Sequence, residues 1–379
     1  MEGVYRNIIN IGQKGNTAMT NGNVTLAPAF GQNNVPVVVA ANNFYAPYAG
    51  VFIRSLLDHA GEGNNYDVII LNRDISEENK RLLKSLAAGL TNVSIRFYDP
   101  SLFFASLHYA DEEHGWPLEV FYKITAPHIL NYTGRMIVVD IDTLLKTDIA
   151  RLMDEDLGGC CVGGVSAAPS IYINCMRNHA YYTCARDRRA RDYWVDIFGL
   201  EDYTDMESYK DYLGGSMLLY DCEKYLQEAD LETILSTAQQ KDYIFPEEGV
   251  LYTLMKGKIK LLDPAWNAVV PANADKLEVF DQKAELYNKL YNDKEAFQRA
   301  YKEPYLLHFA SKPKPWVCPD VPYGSEWWQT ALRTPFVGHI ISRMINELEK
   351  RRQYYRERYG KEDVDVWDPI PKGIDRTKK

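Results

Sequence analysis

Arg135-Met136-Ile137-Val138-Val139-Asp140-Ile141-Asp142-Thr143-Leu144-Leu145 reads as a buried strand that ends in two carboxylates. Met136 to Val139 form a short apolar run rich in β-branched residues, the pattern of a strand covered on both faces. Asp140 and Asp142 are two positions apart, so in an extended chain they point the same way. Two acids at the mouth of an apolar strand are costly to desolvate unless a positive charge meets them. A divalent cation answers that need. Hard oxygen ligands suit Mg²⁺ or Mn²⁺, which usually bring phosphates with them. The plainer alternative is a strand-to-turn junction whose acids are simply solvated, and the rest of the chain has to arbitrate.

Upstream, Val35-Pro36-Val37-Val38-Val39-Ala40-Ala41 is another β-branched run, followed by the loop Asn42-Asn43-Phe44-Tyr45. Val51, Ile53, Leu56 and Leu57 then mark a helix. Tyr66 to Leu71 and Val93 to Tyr98 read as strands. Between them, Ser76 is a good N-cap, with Glu77 and Glu78 in the first turn of a helix. Glu119 to Asn131 is a helix leading into the acid-bearing strand. Strands alternating with helices imply an α/β fold with a parallel, helix-covered sheet, in which ligands collect at the carboxyl ends of strands. Ala40 to Tyr45 and Asp140 to Asp142 both fall at such ends. Further strands are expected at Cys160 to Val165, Gly214 to Tyr220, Ile259 to Leu262 and Leu306 to Ala310. A helix should start near Asp221, and a turn or helix start is expected at Phe245-Pro246-Glu247-Glu248-Gly249. Residues 180–212, dense in Tyr, Arg and Asp, are expected as helices and loops over an acceptor side.

The 379 residues suffice for one large α/β domain with appendages, or for two domains, and 46% hydrophobic with 25% charged residues is ordinary for a folded protein. A net charge of −9 argues against a general nucleic-acid binder. The 27 Tyr against 13 Phe suit a surface that handles polar rings, although many must be structural. Six Cys, at 160, 161, 175, 184, 222 and 318, form no CxxC pair and are expected as reduced thiols. No apolar run reaches the roughly 20 residues that span a bilayer. The expectation is therefore a cytoplasmic protein, or one peripheral on the inner membrane face. Residues 1–34 read as an irregular arm. The tail repeats Ile340, Ile341, Met344, Ile345 and Leu348 at helical spacing, and between 339 and 361 seven Lys or Arg face three Glu.

These blocks, in this order, resemble glycosyltransferase family 8, the retaining transferases that use nucleotide-activated sugars. The resemblance covers about residues 35–320 and implies a GT-A fold, a Rossmann-like mixed sheet covered by helices. Residues 1–34 would then be an N-terminal arm and 321–379 a helical, basic C-terminal extension. Ala40-Ala41-Asn42-Asn43-Phe44-Tyr45 is similar to the family's first nucleotide loop. There Tyr45 would stack on uracil, and Asn42 stands where an Asp usually meets the base. Phe121 to Pro127 resembles a Tyr-x-Arg-Leu-x-x-Pro block, with Lys123 for the Arg, implying a cation near the diphosphate or donor sugar. Asp140-Ile141-Asp142 matches the metal motif. His308 and Lys314 match His-x-x-Gly-x-x-Lys-Pro-Trp, with Ser311 for the Gly and Pro315-Trp316 retained. The implied ligands of Mn²⁺ (or Mg²⁺) are Asp140, Asp142 and His308, with Asp140 also touching ribose and Lys314 on the β-phosphate.

Two departures fall on the sugar pocket. Gly214 takes the place of an Asn that contacts the donor sugar, and Glu247-Glu248 stands where Asp-Gln is common. A carboxylate there would stabilise an oxocarbenium-like centre or act as a nucleophile; otherwise the pair are two acids favoured by a helix N-terminus. The implied activity is hexosyl transfer from UDP-glucose or UDP-galactose to a saccharide, lipid-linked or other acceptor hydroxyl, as in lipopolysaccharide biosynthesis. The tail implies peripheral membrane contact as an alternative to simple packing. Two other readings stand beside this one: a transferase that modifies a protein, and a non-catalytic sugar-nucleotide or glycan binder.

Overall fold

The computed structural model describes residues 17–20, 23–104, 117–183, 186–270, 277–293, 295–310 and 313–359. The first half alternates as the sequence requires: β1 (Asn34–Ala40), α1 (Ala46–Asp58), β2 (Asn65–Leu71), α2 (Glu77–Ser85), β3 (Val93–Tyr98), α3 (Glu119–Leu130), β4 (Arg135–Val139) and the short β5 (Thr143–Leu145). Then come β6 (Val162–Ser166), α4 (Ala168–Met176), α5 (Ala190–Phe198), β7 (Leu213–Asp221), α6 (Cys222–Glu228), α7 (Leu231–Gln240), α8 (Pro246–Met255), β8 (Ile259–Leu261) and β9 (Ala268–Val269). The chain closes with α9 (Leu277–Tyr291), α10 (Ala296–Lys302), β10 (Leu306–His308), α11 (Gly324–Ala331) and α12 (Val337–Tyr359).

Seven strands form one sheet in the order β8-β6-β7-β4-β1-β2-β3, and every strand but β7 runs the same way. The β-branched runs explain why it is buried on both sides. Val37, Val39, Val68, Ile70, Ile137 and Val139 enter one core cluster, while Val38, Ile69, Met136 and Val138 enter the other. Alternate side chains of each strand thus meet helices on opposite faces. A second, three-stranded sheet has the order β9-β10-β5, and β10 pairs antiparallel with β5 through Leu306↔Leu145, Leu307↔Leu144 and His308↔Thr143.

Some expectations shift. The strand read from Cys160 begins at Val162, because Gly158 and Gly159 take positive φ (57° and 90°) and turn the chain just before it. The strand read to Ala310 ends at His308, where the chain leaves its pairing with β5. The arm read as irregular carries a short antiparallel pair, Thr17–Thr20 with Asn23–Leu26. Its sequence signal is the Asn-Gly dipeptide between the two segments. The tyrosines are largely structural: Tyr48, Tyr66, Tyr122, Tyr193, Tyr209, Tyr212, Tyr220 and Tyr225 are among the largest fully buried side chains. The five described cysteines are free, and Cys184 lies outside the described residues.

The C-terminal helices share the main core. Trp327, Ala331, Phe336 and Ile340 belong to the same cluster as α1, and Trp316 stacks on Tyr48 with ring centroids 4.3 Å apart. Arg343 on α12 donates to the Phe44 carbonyl and lies over the Phe44 ring, 4.5 Å from its centroid. Among the described residues no helix is long and apolar enough to cross a membrane.

Gly50 sits under the Phe336 ring: a Cβ there would come within 2.6 Å of Cδ2. Helix propensity alone favours replacing a mid-helix glycine, but Phe336 is fully buried and has nowhere to retreat. Gly50→Val is expected to lower unfolding free energy by about 1–3 kcal/mol. Urea denaturation checks this, and an unchanged or raised midpoint would refute the contact.

Candidate active site

The acids stand where β4 leaves the sheet. Val139 pairs with Met217 of β7, and the next backbone N–H, that of Asp140, donates to the Ser216 carbonyl at 2.8 Å. The Thr143 hydroxyl donates to the Asp140 carbonyl at 2.6 Å and tightens the turn that carries Asp142. Phe309 N–H donates to the Asp142 carbonyl at 2.9 Å, extending the β5–β10 pairing and bringing His308 alongside. Asp140, Asp142 and His308 can each turn a ligand atom into a group within 4.8 Å of one another. Two carboxylates and one imidazole form a donor set suited to Mn²⁺ or Mg²⁺.

The imidazole is held for such a role. His308 Nδ1 lies 2.9 Å from Asn267 Oδ1, and Nε2 faces Asp142 Oδ1 at 3.7 Å. Burial pushes the His308 pKa down to about 4, so the ring is neutral near pH 7, the form that ligates metal. Lys314 donates to Asp142 Oδ2 at 2.7 Å and to the carbonyls of Phe309 and Ala310. Burial alone would raise the Asp142 carboxyl, but Lys314 and His308 outweigh it and hold it below the ordinary value.

A second cluster adjoins the first. Lys123, buried on α3, reaches Asp140 Oδ1 and Glu247 Oε1, each at 2.9 Å, and the Gly215 carbonyl at 3.2 Å. Burial opposes its charge, yet Asp140 and Glu247 raise its pKa well above that of a free lysine. Glu247 and Glu248 occupy the first turn of α8, and Glu248 Oε1 accepts from Gly215 N–H at 2.9 Å. Burial, reinforced by the neighbouring Glu247, pushes Glu248 up to about 8. Asp140 is also raised, to about 6, by burial and the nearby acids, with Lys123 opposing. β7 slips register between Leu213 and Leu218, so Gly214 to Ser216 bulge at the edge of this cluster.

The nucleotide-loop residues stand nearby. Ala40 ends β1, whose Val38 pairs with Val138 of β4. Asn42 turns back on its own helix start, its Oδ1 accepting from Tyr45 N–H at 3.1 Å. The Tyr45 ring is 37% exposed, and burial together with the charge of Asp142 raises its phenol. Ser311 lies outside the described residues. Asn267 was not singled out from the sequence. It ends the Pro-led turn Pro264–Asn267, capped by Asp263, and only the tertiary pairing with His308 reveals it.

Residues 36–318 match the family model described as Glycosyl transferase family 8. Among solved structures, the apo WbbM bifunctional glycosyltransferase is similar at TM-score 0.70 and 22% identity, over 85% of this chain and 54% of that one. The chain thus spans about half the length of WbbM. The galactosyltransferase LgtC, solved with donor and acceptor sugar analogues, is similar at TM-score 0.57 and 17% identity, over 79% and 96% of the two chains. GlyE of Streptococcus pneumoniae TIGR4 is similar at TM-score 0.50 and 15% identity, over 84% and 64%. At these identities the likenesses establish the fold. No curated protein sequence gives a significant match.

A carboxyl whose pKa is raised on folding binds its proton more tightly in the native state, so it loses stability as pH rises through the interval. For Glu248 that interval runs from the ordinary glutamate value of 4.5 up to about 8. In metal-free protein, Glu248→Gln should therefore gain stability over the parent as pH climbs, by at most roughly 1.4 kcal/mol per pH unit. Urea unfolding of both proteins across that range checks it, and a constant difference between them would contradict the assignment.

Proposed function

The chain belongs to glycosyl transferase family 8, and on that premise we propose a metal-dependent retaining enzyme that moves glucose or galactose from a UDP-sugar to a saccharide or lipid-linked hydroxyl. The observation that carries the reading is the convergence of Asp140, Asp142 and His308 with Lys314 beside them, drawn from segments far apart in sequence. We take residues 35–320 as the catalytic region and the helices after it as an extension packed on α1. The LgtC structure, of a galactosyltransferase with donor and acceptor sugar analogues, favours galactose as the first donor to test.

Mn²⁺ or Mg²⁺ held by Asp140, Asp142 and His308 would supply a Lewis acid for the diphosphate. The remaining work falls to the chain's own groups. Lys314, already at the Asp142 carboxylate, adds its ammonium to the charge that grows on the β-phosphate as the sugar–oxygen bond breaks. Tyr45, partly exposed, would stack on the base, and Arg343 holds the same loop through the Phe44 carbonyl. Asn42 and Ala40 shape that loop. Lys123 holds Asp140 and Glu247 in place by sitting between them. Glu247 is engaged by that lysine, which leaves Glu248, ionised once a bound cation offsets the crowded acids, as the carboxylate that steadies a positive anomeric carbon. The acceptor hydroxyl attacks from the face that UDP leaves, forming the new bond as the old one breaks, and its proton passes to a phosphate oxygen. Ile341 and Ile345, exposed on α12, where six Lys or Arg outnumber three Glu, support peripheral contact with an anionic membrane face.

Hydrolysis of UDP-galactose and UDP-glucose with Mn²⁺ tests the reading. Asp142→Ala should lower the rate about 10²–10³-fold, and an unchanged rate would sink it. Binding of either sugar nucleotide without turnover, when a panel of saccharide acceptors is supplied, would point to the binding-protein alternative.

A further inference from the structure

Gly214 carries no side chain at the edge of the acid cluster, and the amide of a side chain from a different segment reaches its rim. A Cβ built on Gly214 would lie 2.8 Å from Nδ2 of Asn267. Asn267 is only 7% exposed, and its two amide atoms face in different directions. Its Oδ1 pairs with His308 Nδ1 at 2.9 Å. With Nε2 turned to the acids as a ligand, Nδ1 must carry the hydrogen and the amide oxygen must accept it. That fixes the amide orientation and sends the NH₂ toward Gly214. Among the described residues no acceptor meets Nδ2. The NH₂ can therefore donate to a ligand oxygen that enters beside Gly214.

We infer that Asn267 does two things with one carboxamide: its oxygen sets the tautomer of His308, and its NH₂ donates to a hydroxyl oxygen of the donor hexose in the space that Gly214 leaves open. The amide that the sequence lacks at position 214 is thus supplied from the turn before β9. The bulge in β7 is what brings the two together, since it moves Gly214 out of regular pairing with β6. A side chain at 214 would press on the Asn267 amide and displace it from this position. Asn267 is a positioning residue toward His308 and a specificity residue toward the sugar. The inference rests on the sugar-nucleotide reading above.

The two roles separate in calorimetry on the full chain with Mn²⁺ alone, then with UDP, UDP-galactose and UDP-glucose in the presence of Mn²⁺. Asn267→Ala should weaken Mn²⁺ binding about 10-fold or more. It should also lower affinity for the better UDP-hexose about 10-fold beyond any loss for UDP. The double variant Gly214→Asn/Asn267→Ala returns an amide to position 214. It should recover the hexose-specific part and leave the Mn²⁺ deficit. Asn267→Asp keeps an acceptor for His308 and should retain Mn²⁺ binding while losing the hexose preference. It guards against a folding failure in the alanine variant. Equal losses for UDP and UDP-hexose in Asn267→Ala would overturn the sugar contact, and unchanged Mn²⁺ affinity would overturn the role at His308. If the parent protein binds no sugar nucleotide at all, the reading beneath this inference falls with it, and that result is distinct from a parent that binds and a variant that does not differ.

Discussion

Lys123 lies between Asp140 and Glu247, its ammonium 2.9 Å from each, and the organisation of the site follows from what that lysine has to do. Asp140, Asp142, Glu247 and Glu248 converge where β4 leaves the sheet, and among the described residues Lys123 and Lys314 are the lysines paired with them. Carboxyls brought together away from water repel one another and lose hydration, and both effects favour the proton over the charge. The raised values of Asp140 and Glu248 are the trace of that crowding. A site left short of positive charge in this way favours a bound cation, because the cation would relieve an existing cost.

The fold supplies the convergence with little adjustment. β4 delivers Asp140 at its carboxyl end, and α3 delivers Lys123 from the helix just before it. β7 runs antiparallel to β4, so its first residues lie beside the last of β4 and put Gly215 and Ser216 at the acids. The N-terminus of α8 points Glu247 and Glu248 at the same place. Its helix dipole favours their ionised forms, but burial outweighs the dipole at Glu248.

Much of this was legible in the sequence. The β-branched runs fixed the strands, because a strand buried on both faces has little choice of composition. Ser76 does cap α2, accepting from Asn79 N–H at 3.2 Å. The acids, His308 and Lys314 stood out because their residue types are expensive to place and their spacing was informative. What could not be read was anything that depends on two distant segments meeting. Lys123 looked like a helix lysine with a general attraction to phosphate, and its pairing with Glu247 is invisible until α3 and α8 are side by side. Asn267 carries no signal, since an asparagine ending a turn is commonplace and its partner is 41 residues away at the end of β10. The register slip in β7 left no mark beyond two adjacent glycines.

The pairing of β5 with β10 has a consequence for how this chain can change. His308 stands opposite Thr143, one position beyond Asp142, and the Phe309–Asp142 backbone bond closes the ladder. The geometry of the candidate metal group is therefore written in backbone register and only secondarily in side chains. Neighbouring side chains can be exchanged without disturbing it. One residue gained or lost within either short strand would set Leu307 or Phe309 where His308 now stands and turn the imidazole to the opposite side of the sheet. The segments Thr143–Leu145 and Leu306–His308 are thus open to substitution around Asp142 and His308 but closed to insertion and deletion.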